Sequence, residues 1–239
     1  MLETDQTQHD RDHCGWSQNA TRYSDSLSRY LDVTGVLRCK PGMLMETNIE
    51  DQRWVTLDLP ALAERVAIAV CAEQALPPER CAFSLLACDD ARIARLNGEF
   101  RGKSGPTNVL SWPASDLASS QPGGNPDPPP PDFTGEIALG DLAIAWETCA
   151  REAQQAGLPM ADHVTHLIVH GLLHLLGYDH IRDPDATLME RLEVEILGKL
   201  GISNPYRDCL LYTSDAADDN RVVGGGGGGG GGGVGGGGG

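Results

Sequence analysis

Five of the seven histidines in this 239-residue chain fall between positions 163 and 180, in His163-Val-Thr-His166-Leu-Ile-Val-His170-Gly-Leu-Leu-His174-Leu-Leu-Gly-Tyr-Asp-His180. His170 and His174 are four apart, so on a helix both imidazoles leave one face a turn from each other. That spacing lets two ring nitrogens reach one metal ion at roughly 2.0–2.1 Å. His166 shares the face, but eight residues separate it from His174, roughly 12 Å along a straight helix. Those two cannot bind the same ion, so a third ligand has to come from outside the helix. Gly177 offers a helix stop, and the Tyr178-Asp179 turn after it can fold His180 back over the His170/His174 face.

Three neutral imidazoles with one position left to water describe a catalytic zinc site rather than a closed structural one. Such residues can also be ordinary polar groups on an amphipathic helix. Here Leu167, Ile168, Val169, Leu172, Leu173, Leu175 and Leu176 make the helix apolar nearly all round. Unpaired imidazoles are costly to bury in that setting, and a metal satisfies them. The pattern departs from the His-Glu-x-x-His of zinc peptidases, because Gly171 stands where those enzymes carry their general base. A peptidase of that type is disfavoured.

The string His170-Gly-Leu-Leu-His174-Leu-Leu-Gly-Tyr-Asp-His180 resembles the signature of the YbeY family of bacterial zinc-dependent endoribonucleases, which are rRNA maturation factors. A second block, Leu96-Asn-Gly-Glu-Phe-Arg101-Gly-Lys-Ser-Gly-Pro106-Thr-Asn108-Val-Leu-Ser-Trp112-Pro, is similar to that family too, as are Gly140-Asp141-Leu-Ala-Ile-Ala and the positions Met189, Glu193 and Leu197. The resemblance spans roughly residues 45–207. It implies one Zn2+ per chain on His170, His174 and His180, with Arg101 as the functional arginine near the metal. It implies an α+β fold: a single layered domain with a small, mostly parallel β-sheet covered by helices and the zinc site in a cleft. The activity it implies is single-strand endoribonuclease action in 16S rRNA 3′-end maturation and ribosome quality control. Its implied partners are ribosomal RNA and the small ribosomal subunit, with a small-subunit ribosomal protein or an Era-type GTPase beside them. Two other readings of the residues stand: a non-enzymatic ribosome-assembly factor with structural zinc, and another zinc hydrolase.

Zinc can bring the pKa of bound water to about 7 and polarise a phosphoryl oxygen. Arg101 can clamp the phosphate oxygens that gain charge if the 101–108 loop folds toward the histidine helix; without the surrounding block it reads as a solvated arginine. Lys103 is a further phosphate contact on weaker grounds. His166 reads equally as a group orienting substrate or ligand and as a satisfied core histidine. Asp179 either accepts from a ligand imidazole or caps the turn. Asp141 either supports the site or belongs to a Gly-Asp bend.

The elements that must position these residues follow from periodicity. Asn48–Leu57 reads as an edge strand with a break, and Pro60 opens an Ala-rich helix over 61–75. The apolar run Cys81–Cys88 suits a buried strand, and Asp89-Asp90 caps a helix over 91–99. Val109–Trp112 and Ile137–Ala145 read as strands, the second bent at Gly140-Asp141. Between them, Ser115–Asp132 is a Pro-rich surface loop and an insertion relative to the family, outside its motifs. Glu147–Ala156, Asp162–Leu176 and Asp185–Leu200 read as helices.

With 18 Lys+Arg against 34 Asp+Glu the net charge is −16, which excludes a protein that coats nucleic acid through its overall field. RNA binding is then expected to be weak, salt-sensitive and helped by a partner. The seven cysteines show no paired spacing and no CxxC, so reduced thiols and a cytoplasmic location are expected, with no membrane span. Residues 1–44 read as a disordered or misassigned extension, with Met43 or Met45 as the start, and 45–208 as the endoribonuclease domain. Residues 209–239 are expected to be a disordered artefact, because Cys209–Asp219 resembles a translated sequencing adapter and Gly224–Gly239 is glycine broken only by Val234. Without Asp215, Asp218, Asp219 and Arg221 the charge is −16 + 2 = −14, so the acidity belongs to the domain.

Overall fold

The computed structural model describes residues 43–206 together with Arg29–Leu31 and Leu37–Cys39. The latter two, β1 and β2, pair antiparallel, with Tyr30 opposite Arg38. They belong to a unit ending at Gly42, and a second compact unit opens at Met43, whose side chain is already buried. The readings made for the rest of 1–42 and for 209–239 lie outside the described residues.

The second unit is built on a four-stranded sheet of β3 (Leu44–Ile49), β4 (Cys81–Cys88), β5 (Val109–Pro113) and β6 (Ile137–Ala145), in the order β3-β4-β6-β5. The β3–β4 and β4–β6 pairs are parallel and the β6–β5 pair is antiparallel, giving the small, mostly parallel sheet of an α+β domain. The helices are α1 (Leu59–Glu73), α2 (Asp90–Arg101), α3 (Trp146–Ala156), α4 (Met160–Leu175) and α5 (Asp183–Lys199). The first strand differs from the sequence reading. It lies earlier, over 44–49, and Gln52–Leu57 forms a 3-10 helix capped by the Asp51 carboxylate on the Arg53 N–H. Trp54, fully buried with its indole donating to the Cys88 carbonyl, draws that segment out of the sheet.

The sheet separates two apolar layers. Leu85, Ala87, Leu142 and Ile144 pack with α1, α4 and α5, while Leu86, Cys88, Leu110 and Ala143 pack with Ile93 and Leu96 of α2. This alternation follows from the period-2 side-chain direction of a strand. Helix α4 is central to the larger layer, with Val164, Ile168, Val169, Leu172 and Leu173 fully buried. Each such side chain contributes about 1.5–3 kcal/mol on leaving water.

Gly171 sets how closely α4 lies on the sheet. A Cβ there would meet Leu142 Cδ2 at 2.8 Å and Ser111 Oγ at 3.4 Å. A glutamate at that position would be pressed into the sheet against Leu142 and Ser111. Gly171→Ala is expected to lose about 1 kcal/mol, overpacking outweighing the gain in helix propensity. Gly171→Glu should fail to fold; thermal unfolding followed by circular dichroism measures both.

Candidate metal centre

The centre is built at the C-terminal end of α4. The helix closes with Gly177 at φ +87°, the Gly177 N–H on the His174 carbonyl and the Tyr178 N–H on the Leu173 carbonyl. This double bond pattern around a left-handed residue is the Schellman closure. It turns the chain so that the Tyr178 carbonyl oxygen faces His174 Nδ1 at 2.9 Å and His180 comes back beside the helix. The ring centroid of His180 stands 5.3 Å from that of His170 and 5.1 Å from that of His174. One ligand nitrogen from each of the three histidines lies within 4.8 Å of the other two.

The protons of the first two rings are already assigned by their partners. A carbonyl oxygen only accepts, so His174 Nδ1 must donate to Tyr178. His170 Nδ1 lies 2.8 Å from Glu193 Oε1, and Glu193 is an acceptor because it is ionised. Burial raises the Glu193 pKa, but hydrogen bonds from His166, His170 and Tyr206 outweigh it and hold the carboxylate at about 2. In the neutral rings both Nε2 atoms are therefore lone pairs, and they face each other at 3.1 Å. Two acceptors at that distance repel unless a cation stands between them. Ligand nitrogens at 2.0–2.1 Å around a tetrahedral ion are about 3.3 Å apart, close to the spacing found.

His174 is also kept neutral. Burial first, then the neighbouring His170 and His180 rings, bring its pKa down to about 4. A neutral imidazole is the form that binds a metal. Glu193, with a side chain only 1% exposed, bridges His170 through Oε1 and His166 through Oε2 (2.9 Å), and Tyr206 donates to it as well. This is the carboxylate–histidine arrangement that orients metal ligands.

The sequence profile of the family described as Endoribonuclease YbeY matches residues 46–201. The chain belongs to the endoribonuclease YbeY family. Among YbeY relatives, Endoribonuclease YbeY of Ruegeria pomeroyi is 65% identical over 164 residues, 69% of this chain and 98% of the relative. That of Sphingopyxis alaskensis is 46% identical over 157 residues, 65% of this chain and 89% of the relative. The solution structure of TM1509 from Thermotoga maritima is 16% identical with a TM-score of 0.41, covering 75% of this chain and 99% of that one.

Of the other candidate residues of this YbeY chain, His166, Asp179 and Asp141 are not members of the three-histidine cluster. Arg101 ends α2, exposed, on the helix that covers the sheet face opposite α4; its side chain and that of the exposed Lys103 have no hydrogen-bond or ion-pair partner among the described residues. The loop after Arg101 folds back on α2, with Asn97 donating to the Gly105 carbonyl, and ends where Asn108 donates to Glu152, which also meets His163. His166 is held by Glu193 rather than joined to the three histidines. Asp179 accepts the His180 backbone N–H at 2.7 Å, so it caps the turn, and the acceptor for His174 is the Tyr178 carbonyl. Asp141 is exposed at the irregular register of β6, lining a groove with Glu46, Ser84 and Ala138 on the face away from α4.

Glu193 is the residue that sequence reasoning undervalued, noting it only as a match to the family's closing helix. A signal existed: it sits among Met189, Leu192, Ile196 and Leu197, a carboxylate in the apolar stripe of α5. Glu193→Gln is expected to weaken divalent-ion binding about ten- to a hundredfold in calorimetric titration. The metal-free protein should lose stability in acid in two stages. The unfolded chain protonates His174 near 6.5 and the folded one near 4, so its contribution, full above pH 6.5, is lost between these values. Glu193, ordinarily near 4.5 and held at about 2, extends the loss below pH 4.5. Urea midpoints measured from pH 8 to pH 3 trace both stages.

Proposed function

We propose that this chain is a zinc-dependent single-strand endoribonuclease acting in 16S rRNA 3′-end maturation and ribosome quality control. The observation that carries the metal part is the pair of opposed Nε2 lone pairs at 3.1 Å with His180 beside them. Three imidazoles and no protein carboxylate or thiolate among them suit zinc with one position open. Membership of a family named for endoribonuclease activity supports the reaction class. Bound at His170, His174 and His180, the ion would supply Lewis acidity and acidify water near a phosphodiester. Glu193 keeps the His170 ring fixed and its proton on Nδ1, and the Tyr178 carbonyl does the same for His174.

The strand-binding role falls to Arg101 and Lys103, cations whose side chains have no partner among the described residues, with exposed Phe100 packed edge-to-face on Trp112 at 5.5 Å beside them. A guanidinium takes two phosphate oxygens at once, and an exposed aromatic ring offers a base a face to stack on. With a domain charge of −16 + 2 = −14, free RNA is held weakly, so targeting depends on the small ribosomal subunit, through a ribosomal protein or an Era-type GTPase. Four cysteines, Cys71, Cys81, Cys88 and Cys149, are buried and unbridged, which supports a reducing, cytoplasmic setting. No helix among the described residues is long and apolar enough to cross a membrane.

The test uses the full chain with a single-stranded RNA ending in the 16S 3′ sequence. His174→Ala should lose both metal and cleavage, whereas Arg101→Ala should keep the metal and bind the RNA several-fold more weakly, slowing cleavage at low RNA concentration. Full cleavage by a metal-depleted His174→Ala protein would overturn the proposal.

A further inference from the structure

His180 is carried by a short irregular stretch between α4 and α5, where among the described residues the backbone of Asp179, His180 and Ile181 makes no hydrogen bond to another element. Ile181 is 83% exposed and His180 is exposed. The stretch is suspended between two fixed points. On one side Tyr178 is buried, and its hydroxyl donates at 2.7 Å to Oε1 of Gln74, the residue that caps α1. On the other side stands Arg182, and what Arg182 holds is not the core but the Pro-rich loop over 115–132. Its Nη2 donates to the Ser119 carbonyl at 3.0 Å and its Nη1 to the Ser120 carbonyl at 3.3 Å, while Nε pairs with Asp185. Asp185, 8% exposed, in turn accepts the Gly123 backbone N–H at 2.7 Å.

Two close approaches seat the loop on the same stretch. A Cβ on Gly177 would lie 2.8 Å from the Leu117 backbone carbon, and one on Gly123 would lie 3.2 Å from Pro184. Leu117 is itself buried, and its carbonyl accepts the Asp127 N–H at 2.9 Å, closing the loop on itself. The segment that reads in the sequence as a surface loop thus touches the chain shortly before and shortly after the third histidine.

We propose that Arg182 and Asp185 are positioning residues for His180, acting through the Pro-rich loop, which serves as the outer brace of the metal centre. The inference rests on the metal reading of the three histidines. His170 and His174 are fixed by a packed helix whether or not an ion is bound; His180 is not. A ligand on a loose segment must be ordered at the moment of binding, and that cost comes out of the affinity. With the loop clamped to Arg182 and Asp185 the ordering has been done on folding, and prolines in the loop reduce what there is to order.

The test titrates the full-length, metal-free protein with Zn2+ and with Co2+, whose visible absorption is strong in four-coordinate sites and weak in six-coordinate ones. The proteins compared are wild type, Arg182→Ala, the milder Arg182→Lys, Asp185→Ala, His180→Ala and the Arg182→Ala/His180→Ala double variant. Arg182→Ala and Asp185→Ala are expected to bind about ten- to a hundredfold more weakly and to weaken the Co2+ bands. In the His180→Ala background, Arg182→Ala should cost nothing further, because the group it positions is gone. A purely structural role would lower affinity equally with and without His180. That result, or wild-type affinity in Arg182→Lys and Asp185→Ala together with Arg182→Ala, overturns the brace. Wild-type protein that takes up neither ion would instead defeat the metal reading beneath it.

Discussion

Two imidazole nitrogens face each other across 3.1 Å with the proton of each ring committed elsewhere, one to the Tyr178 carbonyl and one to the Glu193 carboxylate. Everything around the centre serves to sustain that opposition. An isolated pair of lone pairs in this position would rotate apart or take up a proton. Here the Schellman closure fixes one acceptor and helix α5 fixes the other, while burial keeps His174 from becoming an imidazolium. The arrangement is prepared for a cation before the cation arrives.

The buried Glu193 carries an electrostatic cost that its hydrogen-bond donors must offset. A carboxylate 1% exposed and hydrogen-bonded to two imidazoles and a phenol is held charged by donors rather than by a fixed cation. Removing water from such a group costs several kcal/mol, and three donors from two parts of the chain offset it: His166 and His170 from α4, Tyr206 from the segment after α5. A metal on His170 would strengthen its Nδ1–H as a donor, so the carboxylate and the ion favour each other. The same group therefore links the packing of α5 on α4 to the readiness of the site.

Gly171 and Gly177 show how the sheet and the loop impose on the motif. The first lets α4 come down on Leu142 and Ser111; the second combines a left-handed backbone with the close passage of Leu117. Between them the motif is confined on two sides, by the sheet beneath and by the Pro-rich loop at its end. The loop's seat on Arg182 and Asp185 gives an apparently dispensable segment a part in the geometry of the centre.

Much of this was legible in the order of residues. The four-residue step between His170 and His174, the glycine stop at 177 and the apolar surroundings are local facts, and helical periodicity converts them directly into a shared face and a turn. The α+β class and the strands over 81–88 and 137–145 follow likewise from short apolar runs between helical patterns. What lay beyond it were relations between distant positions. The strand at 44–49 was misplaced because burial of Trp54 against Cys88, 34 residues away, decides where pairing stops. Glu193 meets His170 from 23 residues off, and Arg182 meets Ser119 from 63. Periodicity reports which face a side chain leaves from, never which partner another element will bring to it. So the sequence by itself determined the ligand types, their spacing and the helix that carries two of them. Only the tertiary structure decided which carboxylate holds a ring and which loop steadies the third histidine, because those outcomes depend on packing between elements far apart along the chain.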